Sequence, residues 1–212
     1  MSAARRLVII GEPPLATLAA TIGVMERAAG NVRVVELPPD RIADSDLGFL
    51  ADDSPESTDV FAAIGLSALN YARFDLWAKL KLRGYRCATL VHPRACVDAS
   101  AALADNVLVG PSASIEPEVR VGRGTIVGAA TTIGTAATIG PWCWLARGVV
   151  VGAMAGVGAH VVLGSGVQLA DRTELPGPGE IDVAGAYRGR FPEGTFVSTE
   201  FPQRAARLVC KR

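Results

Sequence analysis

His92 and His160 are the two side chains in this 212-residue chain suited by their ordinary chemistry to take up and release a proton near neutral pH. His92 stands in Leu90-Val91-His92-Pro93, where it reads as a structural joint or as a proton acceptor. Cys87, Cys96, Cys143 and Cys210 form no CxxC pair, and no histidine lies at zinc-finger spacing. They read as free thiols in a reducing compartment. Asp44 with Asp46 and Asp52 with Asp53 fall in a polar loop and lack metal-loop spacing, so no metal site is expected. Trp142 and Trp144 flank Cys143 and should both point outward, for packing or for stacking on a flat ligand. Arg120, Arg123 and Arg147 are scattered cations, either solvated or available to phosphates.

Most of these residues are placed by a repeat. An aliphatic residue returns at every sixth position from Val91, Val97 and Leu103 to Leu169, Leu175 and Ile181, sixteen in all. Six is neither the helical period nor the simple strand period. It marks a hexapeptide β-helix with three short strands per coil, here about five coils. The next residue is small at many positions, such as Gly110, Gly122, Gly128, Gly134 and Gly140. Glycine there is expected to take the left-handed angles of the turn. Cys143 falls in the inward rank of small residues. His160 falls three residues after an inward aliphatic, on a turn. Residues eighteen apart stack on successive coils, so Leu108, Ile126, Trp144 and Val162 form one outward column. An exposed apolar column implies a partner surface, most simply another copy of the chain.

Before the repeat, Leu7 to Ile10 reads as a buried parallel strand ending at Gly11. A helix is expected over 15–29 with Gly30 closing it, a strand over 32–37, a polar loop over 38–58 and a strand over 60–64. A second helix is expected over 67–83, with Leu69, Leu76, Trp77 and Leu80 on its apolar side. This is a small Rossmann-like α/β unit. The domains are therefore residues 1–86, an α/β domain; 87–183, a left-handed parallel β-helix; and 184–212, a segment capping the open end.

The balance of 21 basic and 21 acidic residues argues against a nucleic-acid or membrane surface. No stretch has transmembrane length, and Glu12, Pro13 and Pro14 interrupt the first apolar run before it reads as a signal peptide. The expectation is a cytoplasmic protein.

Several segments resemble the hexapeptide-repeat sugar acyltransferases of the sialic acid O-acetyltransferase and bacillosamine N-acetyltransferase type. They are Leu7-Val8-Ile9-Ile10-Gly11, the run from Val60 to Gly65, Lys81-Leu82-Arg83-Gly84-Tyr85, Leu90-Val91-His92-Pro93 and the hexads around Ile139-Gly140 and Leu145-Ala146-Arg147-Gly148. The resemblance implies a nucleotide-linked sugar substrate on the N-terminal unit and a homotrimer of β-helices. It also implies acetyl-coenzyme A, or another acyl-coenzyme A, as co-substrate in the groove between two helices. A histidine base oriented by an acidic neighbour completes that pattern. Anchored on Leu145-Ala146-Arg147-Gly148, the base position falls on Thr135 and its acidic partner on Ala136. The donor-contacting histidine falls on Trp144, and Ala153 and Ser165 follow as donor-binding positions. The phosphate loop falls on Gly11-Glu12-Pro13-Pro14-Leu15-Ala16, which keeps only Gly11 for the substrate. Glu12 repels phosphate, and the prolines offer no N–H. His160 becomes the candidate for a relocated base facing a neighbouring subunit's groove.

Two functions follow from these readings. One is an acyltransferase acting on an activated sugar with altered or relocated groups. The other is a catalytically silent trimeric homologue with a structural, regulatory or ligand-binding role.

Overall fold

A computed structural model describes residues 5–27, 29–66 and 68–198 and the backbone of 206–207. Cys210 lies outside the described residues. The chain opens with β1 (Arg6–Gly11), α1 (Leu15–Glu26), β2 (Val32–Glu36), β3 (Thr58–Ala63), α2 (Tyr71–Leu82) and β4 (Arg86–Cys87). These four strands form one parallel sheet in the order β2-β1-β3-β4. Leu7 to Ile10 are fully buried because both faces of β1 are covered. Val8 and Ile10 pack with Leu76 and Leu80 of α2. Leu7 and Ile9 face Ala19 and Ile22 of α1, and also Leu90, Leu108 and Ile126 of the repeat.

The helices are shorter than their sequence patterns suggest. Arg27, after α1, turns to extended backbone and donates from Nη2 to Asp59 Oδ2 at 3.1 Å. Leu69 and Asn70 take left-handed angles (φ 50° and 67°), so α2 begins only at Tyr71. Between β2 and β3 the polar stretch holds two short 3₁₀ turns.

The hexads form a parallel β-solenoid of about six turns, matching the left-handed β-helix. Its first face runs from Leu90–Val91 through Leu108–Val109, Ile126–Val127, Trp144–Leu145 and Val161–Leu163 to Gly179–Ile181. The second face runs from Cys96–Val97 to Gly185–Tyr187, and the third from Ala102–Leu103 to Glu174–Leu175. Strand pairing thus outlasts the hexad spacing. Gly185–Tyr187 pairs with Val167–Leu169, and Glu174 bridges to Arg190. The inward aliphatics from Val109 to Ile181 form one continuous core.

The glycines that follow the inward aliphatics have a different reason from the expected one. Left-handed angles fall three residues after the aliphatic instead, at positions such as Gly124, Ala136, Trp142 and His160. Glycine directly after the aliphatic is required by close stacking. A Cβ at Gly122 would stand 2.5 Å from Pro141 N, and one at Gly140 2.5 Å from Gly158 C.

The outward apolar column is also corrected. Leu108 and Ile126 are buried, and Trp144 is partly buried, because β1, β3 and α1 of the same chain lie over that face; Val162 is buried as well. Each aliphatic so covered contributes about 2 kcal/mol. Taken without the unit preceding it, the repeat presents this column as a surface for another copy.

The two units meet around Arg73, which is fully buried on α2. Its guanidinium donates to Ile64 O at 2.6 Å and Gly65 O at 3.5 Å on the sheet side. It also donates to Gly124 O at 2.8 Å and Cys143 O at 3.3 Å on the solenoid. Burial pushes its pKa down to about 9, so it stays charged at neutral pH, and carbonyls satisfy that charge without a carboxylate. Replacing Arg73 with Met keeps the apolar stem and strands these carbonyls. The expected cost is about 3 kcal/mol of stability, read as a lower urea midpoint. A loss below about 1 kcal/mol would contradict this role for Arg73.

Candidate functional site

One corner of the solenoid carries the residues that join it to the α/β unit. Asn106, Gly124, Trp142 and His160 stack there at eighteen-residue spacing, each with positive φ between 56° and 66°. The backbone N–H groups of Gly124, Trp142 and His160 donate to Asp105, Arg123 and Pro141 carbonyls, so coil stacking offsets the cost of these turns. Every rung also reaches the α/β unit. Asn106 pairs with both backbone groups of Ala62, accepting from N at 2.8 Å and donating to O at 3.2 Å. The Gly124 carbonyl accepts from Arg73. The Trp142 ring meets Phe74 at 5.4 Å and Trp77 at 5.3 Å, both edgewise. Trp142 is therefore buried against its own chain, and not outward as expected.

His160 is the fourth rung. Its Nδ1 lies 3.0 Å from the Leu69 carbonyl, and its ring stacks on Tyr71 with centroids 3.9 Å apart and planes 12° apart. A carbonyl can only accept, so Nδ1 carries the proton and Nε2 keeps its lone pair. Burial lowers the ring's pKa below its ordinary 6.5; the Leu69 carbonyl opposes this, and the charge on Arg73 adds to it. A neutral, half-buried imidazole with an open Nε2 is a competent proton acceptor.

The other sequence-derived positions stand elsewhere. Thr135, Ala136 and Ala153 lie on the corner between the second and third faces. Thr135 donates from N and Oγ1 to Glu116 Oε2, both at 2.8 Å. A similar carboxylate bond recurs where Ala153 N donates to Asp171 Oδ1 at 2.9 Å, which marks it as a way of stacking turns. Ser165 is exposed on the corner between the first and second faces. Trp144 lies on the first face with the Arg73 guanidinium 5.8 Å from its ring centre. His92 is buried and accepts from Arg94 N at Nδ1, as a turn residue. A single chain brings none of Thr135, Ala153 and Ser165 to His160.

At the carboxyl edge of the sheet, Gly11 is needed for close approach, since a Cβ there would stand 2.1 Å from Ala63 O. Glu12 Oε1 accepts from Gly65 N at 3.2 Å. On the third face a groove of about 350 Å³ is lined by Ala136, Arg120 and Thr138, among others. It continues past Thr138 into a second hollow of about 270 Å³ along Gly156, Gly158 and Arg190. Glu116, Asn106 and Arg73 escaped sequence reasoning. For Asn106 a signal was present, the eighteen-residue spacing from Trp142 and His160. Among the described residues no group of three His, Cys, Asp or Glu side chains gathers as a metal site would, and no helix is long and apolar enough to cross a membrane.

No family model and no curated protein matches the chain. Solved structures do. The acetyltransferase domain of PglB from Neisseria gonorrhoeae is 18% identical over 95% of this chain and 100% of its own, with a TM-score of 0.60. A mutant of GDP-perosamine N-acetyltransferase from Caulobacter crescentus, in complex with CoA and GDP-perosamine, is 18% identical over 92% of this chain and 93% of its own, at 0.58. WeeI from Acinetobacter baumannii is 11% identical over 95% and 100%, at 0.54. At these identities the likeness is one of fold, a small α/β unit followed by a parallel β-solenoid.

Because its folded pKa is depressed, the contribution of His160 to stability is fully present above 6.5 and is lost as pH falls from 6.5 through the lower folded value. An NMR titration should place its midpoint below 6.5, and Tyr71→Ala, which uncovers the ring, should raise it. A midpoint at or above 6.5 in the unaltered protein would refute this environment for the ring.

Proposed function

We propose that this chain is an acyl-coenzyme A-dependent transferase with a displaced base, His160, acting on the amine or hydroxyl of a sugar-like acceptor. The observation that carries the reading is the 3.0 Å contact of His160 Nδ1 with the Leu69 carbonyl, which leaves Nε2 unbonded. Nε2 takes the acceptor's proton as the amine or hydroxyl attacks the thioester carbonyl. A C–N or C–O bond forms, the C–S bond breaks, and the imidazolium returns the proton to the departing sulfur. Lowering of the ring's pKa suits this role, since the base is neutral at pH 7.

The groove on the third face suits the elongated donor. Arg120 lines its lower part together with Glu118, and Arg190, paired with Glu174 at 3.0 Å, its upper part; the two guanidiniums are the groups that would meet donor phosphates, each with a carboxylate nearby. Gly156 leaves the floor open, as a Cβ there would meet nothing within 4 Å. Gly158, at the groove's upper end, is two residues from His160. Because Ala153 and Ser165 stand on other corners, we place the complete site in a homotrimer, where copies side by side present different corners to one another.

A second reading is a catalytically silent trimer that retains a structural or ligand-binding role. The filled sheet edge at Glu12 and the engagement of Thr135 by Glu116 favour it.

Titration calorimetry with acetyl-coenzyme A separates the two. The transferase should bind, and Gly156→Leu should weaken binding at least tenfold with little change in melting temperature. His160→Ala should lower acyl transfer at least a hundredfold while leaving donor binding intact, in line with a general base. Absence of donor binding would remove the transferase reading, and unchanged turnover in His160→Ala would remove the base. Light scattering should give three times the 22.0 kDa chain mass, and a monomer would exclude the shared site.

A further inference from the structure

We infer that Glu12 sets the acceptor class, so that the α/β unit takes an amine- or hydroxyl-bearing molecule without phosphate at the sheet's carboxyl edge. The chemistry of transfer rests on the reading above; the exclusion of phosphate rests on the α/β unit alone. In parallel sheets flanked by helices, ligands gather at the carboxyl ends of the strands. Phosphates there are held by free N–H groups at the start of the next helix.

At the ends of β1 and β3 several of those groups are taken or missing, which leaves Leu15 N and Thr17 N at the start of α1. Glu12 N donates to Ala63 O at 3.1 Å, and Ala16 N donates to Glu12 O at 3.0 Å. Pro13 and Pro14 have no N–H, and Pro14, at the start of α1, supplies no side-chain cap. The Gly65 N–H on the β3 side is engaged by the Glu12 carboxylate itself. That carboxylate, and not the backbone, fills the space. A Cβ built on Gly65 would meet only Glu12 Oε1, at 3.2 Å. The negative charge thus stands where a phosphate would bring its own, and like charges in contact at a partly buried edge repel.

The same group favours a different ligand. A carboxylate accepts hydrogen bonds from N–H and O–H, and an ammonium matches its charge. Glu12 Oε2 makes no hydrogen bond among the described residues and remains open to such a donor. The acceptor class that fits is a free amino sugar or related amino-polyol, with the amine or hydroxyl groups that acyl transfer also requires.

The test compares the unaltered protein with Glu12→Gly and Glu12→Gln, using inorganic pyrophosphate, glucosamine and a nucleotide-linked amino sugar. The unaltered protein should show no melting shift with millimolar pyrophosphate, and Glu12→Gly should bind it at least tenfold more tightly. Glu12→Gln removes the charge but can keep the Gly65 bond, and it should gain less. With acetyl-coenzyme A, the unaltered protein should acetylate glucosamine at least tenfold faster than the nucleotide-linked sugar, and Glu12→Gly should narrow that ratio. Pyrophosphate binding by the unaltered protein, or a preference for the nucleotide-linked sugar, would overturn the inference. Gain of pyrophosphate affinity in Glu12→Gly without transfer to either acceptor would uphold the phosphate exclusion and sink the transferase reading. Should Glu12→Gly fail to fold, an unchanged pyrophosphate affinity in a folded Glu12→Gln would count against the charge as the cause.

Discussion

One buried guanidinium sets the geometry of this molecule. Arg73 reaches from α2 to carbonyls at the end of β3 and to carbonyls of two adjacent solenoid coils. Its charge is far from water, so carbonyls must be brought to it from both units, and their positions are fixed as a result. Around it the aromatic contacts of Trp142 with Phe74 and Trp77 close one side, and Trp144 lies beneath. The Leu69 carbonyl, four residues before Arg73, then falls against His160. The orientation of the His160 ring is thus a by-product of how a cation between two units is satisfied.

The chain also meets its own polar edges with its own carboxylates. Glu12 closes on Gly65, Glu116 on Thr135 and Asp171 on Ala153. In each case a backbone N–H that would otherwise face solvent or a ligand is engaged from within the molecule. Binding there is therefore a competition with an internal group, and the competitor is negative. That bias works against an anionic ligand at each of these three places.

The repeat made the solenoid legible from sequence, since six-residue periodicity has few physical causes. The apolar run Leu7–Ile10 likewise announced a strand buried on both faces. Three features were not legible. The column that holds Leu108 and Ile126 reads as exposed unless one knows that the preceding unit folds back over it. Arg73 reads as a surface residue of a helix, because charge in sequence argues for water and only the tertiary structure supplies its carbonyls. The glycines that follow many inward aliphatics read as turn residues, whereas the tight stacking of coils requires them. Local pattern carried the first two readings correctly, and long-range packing decided the other three.

The corner formed by Asn106, Gly124, Trp142 and His160 has a further consequence. A hexad repeat has no origin, since every coil offers the same interior, and sliding the α/β unit along by one coil would cost the solenoid nothing. The four rungs differ from one another in chemistry: an amide, a bare backbone, an indole and an imidazole, each met by its own partner. They act as an index mark on a ruler that otherwise has identical divisions. Coils can be gained or lost beyond the mark without disturbing the joint, but one inserted within it would separate the amide from the imidazole and leave the ruler unread.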